Sequence, residues 1–310
     1  MKQGFVTAVM AQYSFEEVVD FASENGFTCI EVACWPREKA ERRYAGVTHI
    51  DVDELDDKKV RYILDYCMIK KIEISALAYY PNLLEPDLEK RTQYIAHLKK
   101  VMIASKKLNV NMVTTFIGRV PTLSVSENLE IVEEVWQPLL EFAEEIGVRI
   151  AIENCPMLFT EDEWPGGKNI ATSPFIWREL FEKLPSPNLG LNYDPSHFVW
   201  QEMDYIKPIY EFKDKIFHVH YKDIKLDRNA RSEMGILAAP LSYMTPRIPG
   251  HGDVNWGQYI AALLEIGYSG PACIEIEDKA FESGKEDIEN ALKISRQYLK
   301  QFINYPEKGK

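Results

Sequence analysis

The chain has little of what marks a disulfide-rich, nucleic-acid-binding or membrane protein. Its 310 residues contain five cysteines, an odd number without a Cys-X-X-Cys pair, so a disulfide framework or a structural zinc site is disfavoured. A formal net charge of −12 provides no basic stripe for a nucleic acid or an anionic membrane. Apolar runs of membrane-spanning length and a signal-peptide pattern are both lacking. We therefore expect a cytoplasmic protein with reduced thiols.

Glycine-rich nucleotide-binding turns are also missing, since neither G-x-G-x-x-G nor G-x-x-x-x-G-K-[ST] occurs. What the chain does contain is 46% hydrophobic residues, enough for a large core. Short apolar runs typical of buried parallel strands recur along its length. These runs lie at residues 4–10, 29–34, 73–80, 111–117, 148–154, 188–194, 216–222 and 271–277.

Stretches with helical spacing separate these runs, and the first of them begins with a capping-box pattern at Ser14 and Glu17. The predicted helices occupy residues 14–25, 56–71, 91–109, 126–147, 175–184, 205–212, 256–267 and 287–302. Eight alternating β/α units without a linker predict a (β/α)8 TIM barrel, with residues 1–310 as one domain. Residues 223–253 are predicted to be irregular. Their segment 225–252 is expected to form a lid, an arm to another subunit or an ordered surface loop.

Ionisable residues stand at or near the ends of the last four predicted strands. In a TIM barrel, chemistry is located at the carboxyl ends of the strands, and consecutive strands are neighbours. The four residues are Glu153, Asp194, His220 and Glu275, and His218 offers a second imidazole on the third of these strands. Unpaired charges in a barrel mouth would cost several kcal/mol each. A shared divalent cation would remove that cost.

The identity of the donor atoms favours some metal ions over others. A mixed carboxylate and imidazole set with open positions suits Mn²⁺, and Zn²⁺, Co²⁺ and Fe²⁺ fit the same set. An all-oxygen Mg²⁺ site is disfavoured by the histidine. The sequence therefore predicts a divalent-metal site, with Mn²⁺ as the first choice.

With these motifs in place, the chain resembles the xylose-isomerase-like TIM-barrel superfamily, the sugar phosphate isomerase/epimerase group. The resemblance covers essentially the whole chain. Its most specific motifs are Ile152-Glu153-Asn154, Asp194-Pro195-Ser196-His197, His218-Val219-His220-Tyr221-Lys222-Asp223 and Ile274-Glu275-Ile276-Glu277. The metal ligands that the resemblance implies are Glu153, Asp194, His220 and Glu275.

The same resemblance selects His220 over His218 as the ligand and implies that His197 contacts the substrate. One departure concerns the residues after His220. The ketose 3-epimerases have a Gly-Glu pair and an Arg there, whereas this chain has Lys222-Asp223, as in the inosose dehydratase-like branch. This departure weakens the case for simple 3-epimerisation.

The implied reaction follows from the acidity of a C–H bond next to a carbonyl group. A cation chelated by that carbonyl and an adjacent hydroxyl acts as a Lewis acid and stabilises an enediolate. The resemblance implies an isomerase or epimerase of a sugar or sugar-derived ketone, in which Glu153 and Glu275 transfer protons. His197, His218 and Lys222 are candidates for the catalytic base or for orienting the substrate. Loss of a β-substituent at the same site would instead make the protein a lyase of a 3-keto sugar, an inosose or a 3-keto-C-glycoside.

Loops after the second, third and fourth predicted strands are candidate walls of the substrate pocket. Their aromatic and hydrogen-bonding side chains suit a sugar, although packing alone would also explain the aromatic ones. The predicted substrate-binding residues are Trp35, Asn82, Arg119, His197, His218 and Arg247. Two of the predicted roles have structural alternatives. His218 is equally well explained as a core histidine, and Lys222 as the ion-pair partner of Asp223.

Other functional classes fit the chain less well. Phosphodiester hydrolysis of the endonuclease IV type needs a zinc cluster and a basic face, which six histidines and a charge of −12 do not favour. A non-catalytic ligand-binding barrel is the third class and predicts a protein without metal. The resemblance also implies a homo-oligomer. A small accessory subunit is the alternative, as in the C-glycoside deglycosidases.

Overall fold

Parallel strands form a closed eight-membered ring in the computed structural model, which describes residues 1–37, 44–157 and 167–303. The ring order is β1-β10-β7-β6-β5-β4-β3-β2, and all eight neighbouring pairs are parallel. The strands are β1 Lys2–Val6, β2 Cys29–Ala33, β3 Glu73–Ala78, β4 Met112–Thr115, β5 Arg149–Glu153, β6 Leu189–Tyr193, β7 Ile216–Tyr221, β8 Asp223–Leu226, β9 Met244–Arg247 and β10 Pro271–Ile274. The predicted TIM barrel is confirmed.

Helices connect the strands and cover the outside of the barrel. They are α1 Phe15–Glu24, α2 Asp57–Lys70, α3 Leu88–Lys107, α4 Val125–Ile146, α5 Pro174–Lys183, α6 Ser196–Val199, α7 Lys207–Glu211, α8 Arg228–Met234, α9 Trp256–Glu265 and α10 Lys285–Ile303. The capping box of Ser14 and Glu17 is present at the start of α1. None of the described helices combines the length and hydrophobicity needed to cross a bilayer.

The predicted carboxyl end of the first strand was wrong. The strand stops at Val6, and Thr7–Met10 forms a buried 3₁₀ helix. There the hydroxyl of Thr7 accepts a hydrogen bond from the backbone N–H of Ala33 at 2.9 Å. This interaction joins the turn to the end of β2. The β-branched and apolar side chains of the segment concealed the change from a strand to a turn.

The prediction that residues 223–253 are irregular was also wrong. Within this segment β8 and β9 form a two-stranded antiparallel sheet, and α8 with a 3₁₀ turn at Pro240–Ser242 connects them. We call residues 223–253 the hairpin arm. Pro246 in β9 argued against a strand, but proline is tolerated in a sheet that consists of edge strands only.

A single buried carboxylate fixes the base of the hairpin arm. Asp223 accepts hydrogen bonds from the backbone N–H groups of Ile224, Gly250 and Val254 at 2.8, 2.9 and 3.1 Å. A fourth comes from the indole Nε1 of Trp256 at 2.8 Å. The arm is therefore anchored to the barrel directly beside the end of β7.

The cysteines and the large aromatic residues belong to the core. All five cysteines are free thiols and four of them are buried, as predicted for reduced cysteines. Trp136, Trp177 and Trp256 are among the largest fully buried side chains. Their burial between helices and strands contributes on the order of 2–3 kcal/mol each. This packing holds the strand ends at the barrel mouth in place.

Candidate metal centre

Four adjacent strands bring the predicted ligands to one end of the barrel. Glu153 is the last residue of β5, Asp194 follows β6, His220 lies in β7 and Glu275 follows β10. One ligand atom from each of the four lies within 4.8 Å of the others. Three of the side chains are buried and that of Glu275 is 12% exposed. The four residues converge because β5, β6, β7 and β10 are consecutive in the ring and each residue lies at or near the carboxyl end of its strand.

Each of these side chains also has a buried atom without a hydrogen-bond partner among the described residues. These atoms are Oε1 of Glu153, Oδ2 of Asp194, Nδ1 of His220 and Oε2 of Glu275. Nδ1 of His220 lies 3.6 Å from Oε1 of Glu153 and 3.6 Å from Oε2 of Glu275. Buried polar atoms left unpaired cost about 1–3 kcal/mol each, and charged ones cost more. A divalent cation at their meeting point would satisfy all four, so the residues fit the predicted metal.

Burial and neighbouring charges have opposite effects on the pKa values of Glu153 and His220. Burial favours the neutral carboxyl, but His197 and His220 hold the pKa of Glu153 below its ordinary value. Burial likewise opposes protonation of His220, whereas Glu31, Glu153 and Glu275 hold its pKa well above the ordinary value. Without a metal, the site therefore compensates its carboxylates with an imidazolium. A bound metal would take over that role, because a ligating imidazole must be neutral.

His197 reaches the same point from the short helix α6. Its Nε2 lies 3.2 Å from Oδ2 of Asp194 and 3.6 Å from Oε1 of Glu153. Burial lowers the pKa of this imidazole, but Cys155 and Asp194 outweigh that effect and raise it well above the ordinary value. The ring is therefore placed to donate a proton or a hydrogen bond beside the metal ligands.

Lys222 follows β7 and carries a buried ammonium group. Its Nζ lies 2.5 Å from Oε2 of Glu277 and 3.4 Å from Oε2 of Glu275. Burial disfavours the charge, but these two carboxylates hold the pKa of Lys222 well above its ordinary value. The alternative in which Lys222 pairs with Asp223 is wrong, because that carboxylate binds the base of the hairpin arm.

A cleft of about 550 Å³, including the solvent at its mouth, opens over these residues. Its lining includes Trp35, Tyr44, Tyr80, Phe116, Glu153, Cys155, Lys222, Glu275 and Glu277. Aromatic faces thus stand on one side of the cleft and charged groups on the other.

Comparison with known proteins shows the family to which the chain belongs. The model of the xylose isomerase-like TIM barrel matches residues 19–302. The chain belongs to this family. The uncharacterized protein YfiH of Bacillus subtilis (strain 168) is 24% identical over 98% of this chain and 100% of its own length. An inosose dehydratase of Lacticaseibacillus casei is 24% identical over 56% of this chain and 57% of its own length.

Solved structures with the same barrel include an epimerase and a zinc-containing protein. The IOLI protein with a bound zinc atom has a TM-score of 0.73 and 19% identity, over 98% of this chain and 100% of that one. D-psicose 3-epimerase of Clostridium cellulolyticum H10 with D-tagatose has a TM-score of 0.71 and 14% identity, with the same coverage. At these identities the likeness concerns the fold. Xylose isomerase-like barrels thus include both epimerases and dehydratases.

Among the predicted substrate-binding residues, Trp35 lines the cleft whereas Asn82 and Arg119 are held together beside it. The side chain of Asn82 donates to the carbonyl of Arg119 at 2.8 Å and accepts from the N–H groups of Arg119 and Leu84 at 2.9 and 3.1 Å. Its amide is therefore engaged in joining two loops. Residues 38–43, the rest of the predicted wall after β2, lie outside the described residues.

The other two predicted substrate residues lie below and beside the site. His218 is fully buried beneath it, with Nδ1 2.9 Å from Oδ1 of Asn192 and Nε2 3.1 Å from Oγ of Ser75. Burial lowers the pKa of His218 to about 4, so the ring is neutral. Arg247 lies in the hairpin arm, where its Nη1 donates to Oδ1 of Asp278 at 2.9 Å. Its guanidinium group is thus tied to a second buried carboxylate.

Sequence reasoning missed three ionisable residues at the site. Glu31 in β2 is fully buried beside the predicted ligand His220, and Cys155 and Glu277 line the cleft. Burial would raise the pKa of Glu31, but His220 and His218 lower it to about 2. A signal existed, because Glu31 is the one charged residue in the apolar run Cys29-Ile30-Glu31-Val32-Ala33-Cys34. For Glu277 the signal was its two-residue spacing from Glu275.

Proposed function

We propose that the protein is a divalent-metal-dependent isomerase or epimerase of a sugar or sugar-derived ketone. The observation that carries this proposal is the meeting of four potential metal-ligand atoms that make no hydrogen bond to a described residue. Two of these residues, Glu153 and Glu275, line a cleft of about 550 Å³. Glu153, Asp194, His220 and Glu275 would hold the metal. Mn²⁺ suits this mixed set, and the zinc atom bound to the IOLI protein supports Zn²⁺ as the alternative.

A divalent cation bound there would polarise a chelated carbonyl and so make the adjacent C–H more acidic. The protein's own groups then move the proton. Glu153 and Glu275 stand at the cleft floor, where a carboxylate oxygen not engaged by the metal can remove or return it. His197 beside Asp194 would hydrogen-bond a substrate oxygen. Returning the proton to the other face of the same carbon gives an epimer, and returning it to the neighbouring carbon gives an isomer.

Recognition of the sugar would use the aromatic side of the cleft. Trp35, Tyr80 and Phe116 line the cleft, and the C–H surface of a sugar ring would pack against these aromatic side chains. Burial of such a surface also keeps water away from the reacting carbon. Asn82, Arg119, His218 and Arg247 stay predictions as substrate contacts, and the hydrogen bonds of Asn82 and His218 favour structural roles for these two.

A lyase acting by β-elimination is the second candidate, and Lys222 is the observation that favours it. Its ammonium lies in the cleft beside Glu275 and Glu277, where it can stabilise the negative charge on a departing oxygen or carbon group. The similarity to an inosose dehydratase supports the same outcome. The substrate would then be an inosose, a 3-keto sugar or a 3-keto-C-glycoside.

Reaction in D₂O distinguishes the two candidates. Metal-loaded protein is incubated with ketohexoses such as D-fructose, and separately with an inosose and with 3-keto-glycosides. Deuterium at the carbon next to the carbonyl, without loss of a group, supports the isomerase. Release of water or aglycone supports the lyase. If neither deuterium incorporation nor release of a group occurs with any of these substrates, under Mn²⁺ or under Zn²⁺, both candidate functions are refuted.

The remaining properties are proposals with simpler tests. We expect the purified protein to contain about one divalent metal ion per chain by elemental analysis, and a metal-free preparation would favour a non-catalytic binding barrel. A homo-oligomer is expected in light scattering, with co-purification of a small subunit as the alternative. The cytoplasmic location is checked by cell fractionation.

A further inference from the structure

Glu31 approaches the candidate metal centre from the opposite side of the barrel. It lies in β2, 189 positions before His220, and is fully buried. Its Oε2 lies 2.6 Å from Nε2 of His220. Its Oε1 accepts hydrogen bonds from the hydroxyls of Tyr80 at 2.6 Å and Thr114 at 2.7 Å. Two hydroxyls thus donate to Oε1, and Oε2 faces the imidazole; this environment suits an ionised carboxylate, which can only accept.

This arrangement determines which nitrogen of His220 carries hydrogen. Because the Glu31 carboxylate has no proton to donate, Nε2 of His220 must donate to it. In the neutral ring the lone pair is then on Nδ1. Nδ1 is the nitrogen that faces Glu153 and Glu275 and has no hydrogen bond to a described residue. The correct tautomer for metal binding therefore follows from the contact with Glu31.

Asn192 extends this hydrogen-bonded group and is consistent with the same tautomer. Its Nδ2 lies 2.9 Å from both the Tyr80 hydroxyl and Nε2 of His220. Since Nε2 already carries a hydrogen, the amide of Asn192 donates to Tyr80. Its Oδ1 accepts from Nδ1 of the neutral His218 at 2.9 Å. The Tyr80 hydroxyl and the Asn192 amide oxygen thereby each have a compatible partner.

We propose that Glu31 is a positioning residue that fixes the tautomer and ring orientation of His220 for metal binding. This inference rests on the proposed metal site. Its effect should resemble that of other carboxylates behind metal-binding histidines, whose loss weakens metal affinity roughly 10- to 100-fold. Glu31 has no ligand atom in the four-residue group itself, so it acts through His220.

The test compares Zn²⁺ binding by calorimetry in the wild type and in Glu31→Gln. We expect the Kd of the folded variant to rise roughly 10- to 100-fold. Glu31→Asp, which keeps the carboxylate, should recover part of the loss. Asp223→Asn is the matched control, because it alters a buried carboxylate that contacts no proposed ligand. Its Kd should stay within about threefold of the wild type even if its stability falls.

A spectroscopic measurement on the wild type is independent of whether Glu31→Gln folds. In the ¹⁵N-histidine-labelled zinc protein, His220 should bind the metal through Nδ1 and show a strongly downfield Nε2–H proton. Binding through Nε2, or an unchanged Kd in folded Glu31→Gln, would overturn the role of Glu31 while leaving the metal site intact. A wild type that binds neither Zn²⁺ nor Mn²⁺ would instead refute the proposed function, and this inference with it.

Discussion

At the scale of single residues, Lys222 is the side chain whose role most affects the reaction. Its ammonium is buried against Glu275 and Glu277 rather than exposed at the end of a strand. Maintaining a buried charge is costly unless its partners are fixed, and one of the two partners, Glu275, is also a proposed metal ligand. The proposed role of Lys222 toward the substrate can therefore be tested separately from metal binding.

Replacement of Lys222 by glutamine should therefore separate chemistry from metal binding. We expect the deuterium exchange or elimination catalysed by Lys222→Gln to fall roughly 10²- to 10³-fold, because a positive charge that stabilises developing negative charge on the substrate is lost. The Kd for Mn²⁺ should not rise, since a neighbouring positive charge is removed. Lys225→Gln is the control, because Lys225 is an exposed residue of the hairpin arm paired with Asp253. Unchanged turnover in Lys222→Gln would contradict the proposed role.

Asn82 provides the opposite case, a predicted substrate contact whose hydrogen bonds suit a structural role. Asn82→Ala removes three hydrogen bonds and leaves the N–H groups of Leu84 and Arg119 without their acceptor. We expect the free energy of unfolding to fall by about 2–4 kcal/mol, measured in urea. The exposed Asn229→Ala should change it by less than about 0.5 kcal/mol. Normal stability with a raised KM would instead support substrate contact.

At the scale of elements, the hairpin arm is attached through two buried carboxylates, Asp223 at its base and Asp278, which binds Arg247 and the backbone N–H of Ile248. Four donors from three segments converge on Asp223, and a Cβ at Gly252 would overlap its Oδ1. The strands β8 and β9 are short, at four residues each. A two-stranded sheet of this size is marginal on its own. The arm is therefore ordered by its anchor rather than by strand pairing.

Asp223→Asn should accordingly destabilise the protein. The amide replaces one acceptor by a donor that faces N–H groups, so we expect a loss of about 2–4 kcal/mol in the free energy of unfolding. Asp227→Asn is the matched control, because Asp227 caps α8 through two backbone N–H groups and asparagine caps equally well. Hydrogen exchange should show early opening of β8 and β9 in Asp223→Asn. Equal stability of the two variants would show that the anchor contributes little.

At the scale of the whole molecule, the barrel mouth gathers negative charge in a protein whose net charge is already −12. Three carboxylates of the four-residue group face one another across distances that only a cation or an imidazolium compensates. The folded barrel should therefore be less stable without metal. Because the ligands come from β5, β6, β7 and β10, a bound ion would join half of the strand ring.

Removal of metal by EDTA should lower Tm, and addition of Mn²⁺ or Zn²⁺ should restore it. At a free metal concentration of about 100 times Kd the expected stabilisation is about 2.7 kcal/mol. Scanning calorimetry measures it, with Asp194→Asn and Glu275→Gln as variants in which the shift should shrink. A Tm that responds to neither ion in the wild type would be evidence against the metal site.

The sequence by itself determined the barrel and which ionisable residues meet at one end of it. Strands buried on both faces must be apolar throughout, so eight of them are visible as runs, and the parallel ring makes strand ends such as Glu153 and Asp194 neighbours. Tertiary structure decided which groups meet across the interior. Glu31 reaches His220 only when the ring closes, and Lys222 finds Glu277 rather than its sequence neighbour Asp223. Such contacts depend on where side chains point in the folded barrel, and local residue patterns do not encode that.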